Sequence, residues 1–222
     1  MLWIITAMSE EAQFIIDLYQ LEEVEKLQNI KIYKKNNIVL ALTWIGKIQA
    51  AIGTTILFEK HNVENIINIW IAWNTAQEQN SKVWDIFIVH KLYQHDGYLP
   101  FDWEHLYYFN KEIELNKLSF EHNFDFNIYF EWICATGDQF IDNENKIDNI
   151  KNATNAHVVE MEAFAVASVC REYNKLDKLI IIKAISDNAD KNAHSEHENN
   201  LEIAMKNSIK VLEKIVNNLK TN

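Results

Sequence analysis

The sequence predicts an α/β fold whose largely parallel or mixed sheet carries helices on both faces. Short apolar runs rich in β-branched residues have the bounded length of strands. Longer segments repeat apolar residues at i, i+3 and i+4, as helices that pack on a sheet do. The two kinds of segment alternate through much of the chain, which is the pattern of α/β proteins. No repeat or linker interrupts it, so we expect residues 1–222 to form a single domain.

Apolar runs of five to nine residues predict the strands. The predicted strands cover residues 2–7, 31–35, 38–44, 65–70, 85–92, 130–136 and 178–186. Helical periodicity occupies residues 9–20, 46–62, 158–174 and 201–220. Ser9 is a plausible N-cap of the first helix, because acidic residues follow it in the first turn. The polar, Asn-rich stretch 142–156 predicts a surface helix followed by a loop.

Composition excludes several classes of function. The formal net charge is −11, and an acidic surface repels phosphate backbones, so we expect no nucleic-acid partner. No apolar run approaches the ~20 residues of a membrane span, and the N-terminus lacks the basic region of a signal peptide. Cys134 and Cys170 lie in apolar contexts without a CxxC pair, which indicates buried, reduced thiols. We therefore expect a cytoplasmic protein with no membrane partner.

Three acidic residues each lie at a junction between a predicted strand and a helix. Glu11 follows the first strand, Glu162 begins an apolar helix, and Asp187 follows the most hydrophobic strand. Ligands of open α/β sheets gather at such strand ends. Each residue alone has a structural explanation, since acids in a first turn stabilise the helix dipole and an Asp can cap a turn. Their combination favours a functional site.

The eight histidines show no spacing typical of metal ligands. His194 and His197 are three residues apart, but no HExxH motif or cysteine set accompanies them. We expect no metal site.

Five segments carry a resemblance to a known family. AMSEE, WIGKIQAAIG, TGDQFI, VEMEA and AISDNAD resemble, in order and spacing, the signatures of the nucleoside phosphorylase/hydrolase family (the PNP/UDP phosphorylases). The likeness is strongest to its 5′-methylthioadenosine/S-adenosylhomocysteine nucleosidases and runs over nearly the whole chain. It implies a three-layer αβα sandwich with a central mixed sheet, a homodimer, an adenine nucleoside as substrate and no cofactor.

The resemblance also implies roles for residues at matching positions. Asp187 would assist protonation of purine N7, and Glu11 would be the general base that activates water. Glu162 would accept hydrogen bonds from the ribose hydroxyls, and negative charge near the sugar favours an oxocarbenium-like transition state. Phe140 would stack on the base, and Ile141 would supply backbone hydrogen bonds to it. The other residues expected to bind substrate are Met8, Ile45, Ala72, Glu160, Met161 and Ser186.

The arginine content favours hydrolysis over phosphorolysis. A phosphorylase must hold a phosphate dianion, usually with arginines, whose forked donors match its oxygens. The only arginine is Arg171, late in a predicted helix and away from every candidate site, and Glu11 would repel phosphate. Lysine could still bind phosphate as a point charge. Related alternatives are a futalosine-type nucleoside hydrolase or a phosphorylase.

Glycine and tryptophan have abnormal counts. The chain has four glycines and seven tryptophans, whereas an average of ~7% glycine predicts about fifteen at this length. The resemblance implies glycine-rich turns at Trp44, Trp70 and Trp73. It implies glycine at or near the other tryptophans as well, namely Trp3, Trp84, Trp132 and, more loosely, Trp103.

Two explanations for the excess of tryptophan and the shortage of glycine compete. If the tryptophans are genuine, their indoles would refill the pocket, and the protein would be a non-catalytic, nucleoside-binding paralogue. Alternatively, the source reads UGA as glycine and this sequence renders it as tryptophan. We favour the second, because independent substitutions would not repeatedly exchange one small residue for one bulky residue.

Other positions also depart from the family pattern. Ile71 and Asn74 replace residues that are normally Ser and Gly, and Lys183 stands where Arg is frequent. His197 replaces a Phe that would cover the 5′ substituent, so the sequence leaves the preference for that substituent open.

Overall fold

The computed structural model describes residues 1–76, 79–97, 112–141, 143–187 and 193–221. Trp103 lies outside these ranges, and the side chains of His194 and His197 lie outside the described part as well.

A mixed sheet forms the central layer. In the described residues its strands are β1 (Leu2–Thr6), β2 (Glu22–Lys26), β3 (Lys31–Lys35), β4 (Ile38–Leu42), β5 (Asn65–Asn74), β6 (Ile86–Gln94), β7 (Glu112–Glu114), β8 (Ile128–Thr136), β9 (Val158–Glu160) and β10 (Leu179–Asp187). They are ordered β10-β6-β8-β9-β5-β1-β4-β3-β2, with β7 added beside β6. Because β10 also pairs with β5, the part from β10 to β5 closes on itself.

The central strands run parallel where the site lies. β1 pairs in parallel with β4 and β5, and β5 pairs in parallel with β10. β9 is parallel to β8 and antiparallel to β5. The carboxyl ends of β1, β5 and β10 therefore meet at one edge of the sheet.

Helices cover both faces of the sheet. They are α1 (Ser9–Tyr19), α2 (Lys47–Lys60), α3 (Glu144–Thr154), α4 (Ala163–Glu172) and α5 (Ala193–Thr221). One apolar cluster joins the sheet to α2 and α4, for example through Leu57 and Val166. A second joins the opposite face to α1 and α5, for example through Ile15 and Leu212. The fold is thus a three-layer αβα sandwich, and the predicted fold class is confirmed.

Strand β5 is longer than predicted, and its length changes the setting of two tryptophans. It runs to Asn74 rather than ending at residue 70, so Trp70 and Trp73 lie within a strand and not in a turn after it. The extension is a tertiary effect, because β10 pairs alongside β5 as far as Trp73. Asp187 is likewise the last residue of β10 rather than the first residue after it.

Some other predicted elements differ. Residues 158–160 form β9 instead of the first turn of a helix, because they pair with β5 and β8. The predicted helix there is wrong at its start, and α4 begins at Ala163. Strands β2 and β7 were not predicted, since their charged residues lack an apolar run. The surface helix within 142–156 is confirmed as α3.

The N-cap of α1 is Met8 and not Ser9, which is the first helical residue. The Met8 backbone amide donates to Glu11 Oε2 at 3.1 Å, so the acid three residues into the helix closes the helix end. The local signal of Ser followed by two acids located the helix to within one residue.

Both cysteines are buried and free, as predicted. Burial raises the pKa of Cys170 to about 12 and that of Cys134 well above its usual value. No helix in the described residues is long and apolar enough to cross a membrane.

Candidate active site

A cavity of about 480 Å³ lies at the edge where β1, β5 and β10 end, and the short antiparallel strand β9 also contributes to it. Its volume is within the range of small-molecule sites. Its described lining is mostly apolar with three carboxylates: Met8, Glu10, Ile45, Trp70, Ile71, Ala72, Trp73, Phe140, Glu160, Met161, Glu162, Ser186 and Leu201. Most of the predicted substrate-binding residues are therefore brought together around one cavity.

Glu11 is fully buried behind this cavity and is held by three donors. Thr6 Oγ1 and the Met8 amide donate to Oε2 at 3.0 and 3.1 Å, and the Ile71 amide donates to Oε1 at 3.3 Å. Burial raises the pKa of Glu11, and the three hydrogen bonds oppose that rise. The carboxyl group thus has a fixed orientation and a pKa above that of a free glutamate.

Glu160, the last residue of β9, is engaged entirely by protein donors. Its oxygens accept from Thr136 Oγ1, from the Ala163 amide at 2.9 and 3.1 Å, and from the Glu162 amide at 3.1 Å. Lys183 Nζ forms a fully buried ion pair with Oε2 at 2.8 Å and also donates to Asn68 Oδ1 at 3.0 Å. Glu160 therefore stabilises the turn that carries Met161 and Glu162.

Glu162 differs from its neighbour in having a free oxygen. It is 1% exposed, and Oε1 accepts a hydrogen bond of 2.6 Å from the Gly46 amide. Oε2 is buried and has no hydrogen-bond partner among the described residues. Burial and the nearby Glu160 charge raise its pKa well above the usual value. A buried, unpaired carboxylate oxygen at a cavity wall is well suited to accept a ligand hydroxyl.

Gly46 makes this contact possible through its backbone. Its φ is +103°, which L side chains rarely adopt, and a Cβ there would lie 3.3 Å from Asp138 Oδ1. The residue precedes α2, so its amide points out of the helix toward the Glu162 carboxylate.

Asp187 is fully buried at the end of β10, next to Ser186. The Ser186 hydroxyl donates to Asp187 Oδ2 at 2.8 Å, and the Asn200 side chain donates to the Ser186 carbonyl at 3.0 Å. Neither Asp187 nor Glu11 is among the described residues that line the cavity. The two predicted catalytic acids are thus close to the cavity but behind its wall.

Aromatic rings form another part of the cavity wall. Phe140 is 39% exposed, and its ring meets the Trp73 ring edge-to-face at 4.7 Å. Trp70 is 4% exposed, with Lys183 Nζ 5.4 Å from its ring centre. Ile141 does not line the cavity and is fully buried in a small cluster with Trp73 and Val159.

Sequence reasoning did not assign roles to several residues that build this site. Thr6 orients the Glu11 carboxylate, and Thr136 orients that of Glu160. Lys183 neutralises Glu160. Glu10 and Leu201 line the cavity. Lys183 carried a usable signal, since a lysine within the apolar strand KLIIIKAIS must be buried and needs an acidic partner.

Groups of three or more His, Cys, Asp or Glu that could hold a metal are absent from the residues described. Among those same residues, the cavity lining includes no Lys or Arg. Arg171 lies in the last turn of α4, beside Glu172.

Sequence comparison assigns the class of protein that this fold and site define. The family description "Phosphorylase superfamily" matches residues 2–217, and the chain belongs to that family.

Relatives within it are nucleosidases. The chain is 33% identical over 94% of its length to a 5′-methylthioadenosine/S-adenosylhomocysteine nucleosidase of Buchnera aphidicola, 93% of which is covered. It is 31% identical to the Bacillus cytotoxicus protein of the same name, with 98% of both chains covered. An aminodeoxyfutalosine nucleosidase of Helicobacter pylori is 27% identical, with 97% of each chain covered.

Solved structures agree on the fold. The Neisseria meningitidis 5′-methylthioadenosine/S-adenosylhomocysteine nucleosidase, in complex with methylthio-immucillin-A, superposes with a TM-score of 0.84 at 22% identity and 97% coverage of both chains. The Streptococcus pneumoniae enzyme with a transition-state inhibitor gives a TM-score of 0.78 at 26% identity, covering 95% of this chain and 96% of the other.

Proposed function

We propose that this protein hydrolyses the N-glycosidic bond of 5′-methylthioadenosine or S-adenosylhomocysteine and releases adenine. The observation that carries the proposal is Glu162, which is buried at the cavity wall and has one carboxylate oxygen without a partner in the described part of the chain. A ribose hydroxyl would supply the donor that this oxygen lacks. The nucleosidase names of the relatives point to the same reaction.

Glu11 would act as the general base. It would remove a proton from water as the water oxygen bonds to C1′ of the ribose and the bond from C1′ to N9 of adenine breaks. A burial-raised pKa suits this role, because a base works best when its pKa is near the working pH. The hydrogen bonds from Thr6, Met8 and Ile71 would hold the carboxylate toward the water.

Asp187 would assist the departure of adenine by placing a proton on N7, so that the base leaves in neutral form. The Ser186 hydroxyl, 2.8 Å from Asp187 Oδ2, would orient the carboxyl group. Protonation of a leaving group contributes about 10²–10⁴-fold to the rate in typical enzymes.

The remaining cavity residues would position the nucleoside. Phe140 would stack on the adenine, and the backbone of Ile141 would hydrogen-bond to it. Met161 would lie beneath the ribose, while Met8, Ile45 and Ala72 would line the pocket around the sugar and its 5′ substituent. Glu160 would act through the turn that it stabilises, since its oxygens already accept from protein donors.

Water is the proposed nucleophile rather than phosphate. The described lining combines three carboxylates with no cationic side chain, so a phosphate dianion would meet repulsion without a compensating donor fork. Lys183 is fully buried and committed to Glu160. No cofactor enters the proposed reaction.

The proposal includes a cytoplasmic homodimer built from a single domain of residues 1–222. Exposed apolar side chains beside the cavity support pairing of two copies. Ile45 precedes α2 and is 49% exposed, and Ile48 and Ile52 in the N-terminal part of α2 are 70% and 45% exposed. Burying such a patch against a second copy would stabilise the dimer.

Adenine release separates the candidate reactions. We expect purified protein to release adenine from 5′-methylthioadenosine in buffer without phosphate, at a rate that added phosphate leaves unchanged. Activity that requires phosphate would overturn the hydrolase assignment. A panel that includes S-adenosylhomocysteine and aminodeoxyfutalosine measures the 5′ preference, and the Helicobacter pylori relative makes the latter the second candidate substrate. Nucleoside binding without turnover would support a non-catalytic paralogue.

A further inference from the structure

The first structural observation on the tryptophans is the backbone geometry at two of them. Trp44 has φ +69° and Trp84 has φ +79°. This left-handed region is adopted readily by glycine and rarely by bulky L residues. Six other non-glycine residues of the described part have positive φ, and five of them are Asn or Gln. Asn adopts this region more readily than other L residues, because its short polar side chain can hydrogen-bond locally. Tryptophan has no short polar side chain of this kind, so the backbone conformation at positions 44 and 84 is one that favours glycine.

Buried indole nitrogens give a second, independent observation. Trp3 Nε1 and Trp73 Nε1 are buried and have no hydrogen-bond partner among the described residues. A buried tryptophan usually finds a partner for its N–H, because leaving the donor unpaired costs the desolvation free energy. Glycine at these positions would remove both orphaned donors.

The third observation comes from the cavity. Trp70 and Trp73 line it, while Glu11 and Asp187 do not. Glu11 accepts a hydrogen bond from the amide of Ile71, the residue after Trp70, and Asp187 on β10 is the strand partner of Trp73. The Trp73 ring also occupies space against Phe140, the predicted base-stacking residue.

We propose that the tryptophan positions of this sequence are glycine in the protein that its source makes, because the source reads UGA as glycine. The exchange would bring the glycine count from four to eleven, nearer to an average of ~7%. At residues 70 and 73 it would open the cavity toward Glu11 and Asp187 and free a face of Phe140. That last consequence rests on the proposed function, whereas the argument from φ at Trp44 and Trp84 does not.

Peptide mass spectrometry of the protein isolated from its natural source tests the proposal directly. We expect tryptic peptides that contain positions 70, 73 and 84 to have the masses of glycine. Peptides with the masses of tryptophan at these positions would overturn the proposal, whatever the activity of the protein.

Paired substitutions in recombinant protein test the backbone argument without reference to activity. We compare Trp84→Gly with Trp84→Ala and Trp44→Gly with Trp44→Ala. Because both members of a pair lose the indole, their difference in melting temperature reports mainly on the positive φ. We expect the glycine variant to melt higher by about 2–4 °C at each position, given the cost of left-handed geometry for alanine.

Ile48 provides the matched control, since it is exposed and lies in the regular helix α2. There glycine is the poorer residue, so Ile48→Gly should melt below Ile48→Ala. If alanine is also the better residue at both 44 and 84, the geometric support fails and the proposal with it.

Activity gives the final comparison. We expect the chain with all seven Trp→Gly exchanges to release adenine from 5′-methylthioadenosine at least ~10²-fold faster than the chain with tryptophan, since displaced catalytic groups cost about that much. A faster tryptophan chain together with tryptophan masses would overturn the proposal. Glycine masses together with an inactive glycine chain would uphold the proposal and reject the nucleosidase function instead.

Discussion

The two walls of the cavity are built on different principles. On the carboxylate wall, Glu160 and Glu162 are fixed by backbone amides, Thr136 and the buried Lys183. On the aromatic wall, Trp73 and Phe140 meet through ring contacts, and the Trp73 indole nitrogen has no partner among the described residues. The first wall has directional bonds that specify one arrangement, whereas the second is packed without them. The arrangement of the carboxylate wall should therefore persist when one contact is lost, whereas the aromatic wall can repack when a side chain is exchanged.

The largest effect should follow from Asp187→Asn. The amide keeps the size of the side chain and can still accept from Ser186, but it has no proton to give to purine N7. We expect turnover of 5′-methylthioadenosine to fall about 10²–10⁴-fold, with an unchanged circular dichroism spectrum. Asp177→Asn, on the exposed turn before β10, is the matched control and should keep full activity. Near-normal turnover in Asp187→Asn would show that another group is the acid.

Glu11→Gln should have an effect of similar or smaller size on turnover, with a pH signature. Burial raises the pKa of Glu11, so turnover in the native protein should fall as the pH drops through that raised pKa and the base becomes protonated. Glu11→Gln should lose about 10²–10⁴-fold and also lose this acidic limb of the pH profile. An unchanged acidic limb would assign that titration to a different group.

Glu11→Gln should lower turnover but raise the stability of the folded protein. A carboxyl group whose folded pKa is raised binds its proton more tightly in the folded state, so its contribution to stability falls as the pH rises from the ordinary value of 4.5. Glu11→Gln removes this penalty, and the variant should be the more stable protein at pH 7. The difference should narrow as the pH approaches 4.5. Thermal melts at the two pH values measure it.

Lys183→Met tests whether the carboxylate wall depends on its buried cation. The substitution leaves Glu160 buried without a counter-charge, which typically costs about 3–5 kcal/mol of unfolding free energy. Denaturant unfolding of Lys206→Met provides the control, because Lys206 pairs with Glu202 on the surface of α5 and such pairs are worth about 0.3–0.5 kcal/mol. Equal losses in the two variants would contradict a structural role for the buried pair.

The smallest effect should come from Gly46→Ala. The φ of +103° makes alanine strained, at a cost of about 1–2 kcal/mol. Because the Gly46 amide orients Glu162, the KM for 5′-methylthioadenosine should rise more than kcat falls. Gly53→Ala, in the middle of α2, is the comparison, because its Cβ would clash with the buried Thr43 side chain and so should lower stability while leaving KM unchanged. A stability loss with unchanged KM would show that the amide does not orient the ribose-binding carboxylate.

The sequence determined the layers of this fold and the identity of its acids. Alternation of strand and helix periodicity reflects which faces can be buried, and that pattern is local enough to read from the chain. KIYKK at 31–35 was predicted with the bounds that β3 has. Glu11, Glu162 and Asp187 were found because junctions between strands and helices are visible in the sequence.

Only the tertiary structure decided how these residues are presented. β5 extends through Trp70 and Trp73 because β10 pairs beside it, and Val158–Glu160 form a strand because β5 and β8 offer partners on both sides. No local pattern encodes such pairing. For the same reason the sequence could not show that both oxygens of Glu160 accept from donors on β8, β10 and its own turn. Nor could it show that Glu162 keeps one oxygen with no donor among the residues that the structure describes. Which buried carboxylate keeps a free oxygen depends on neighbours that are distant along the chain, and the folded sheet brings those neighbours together.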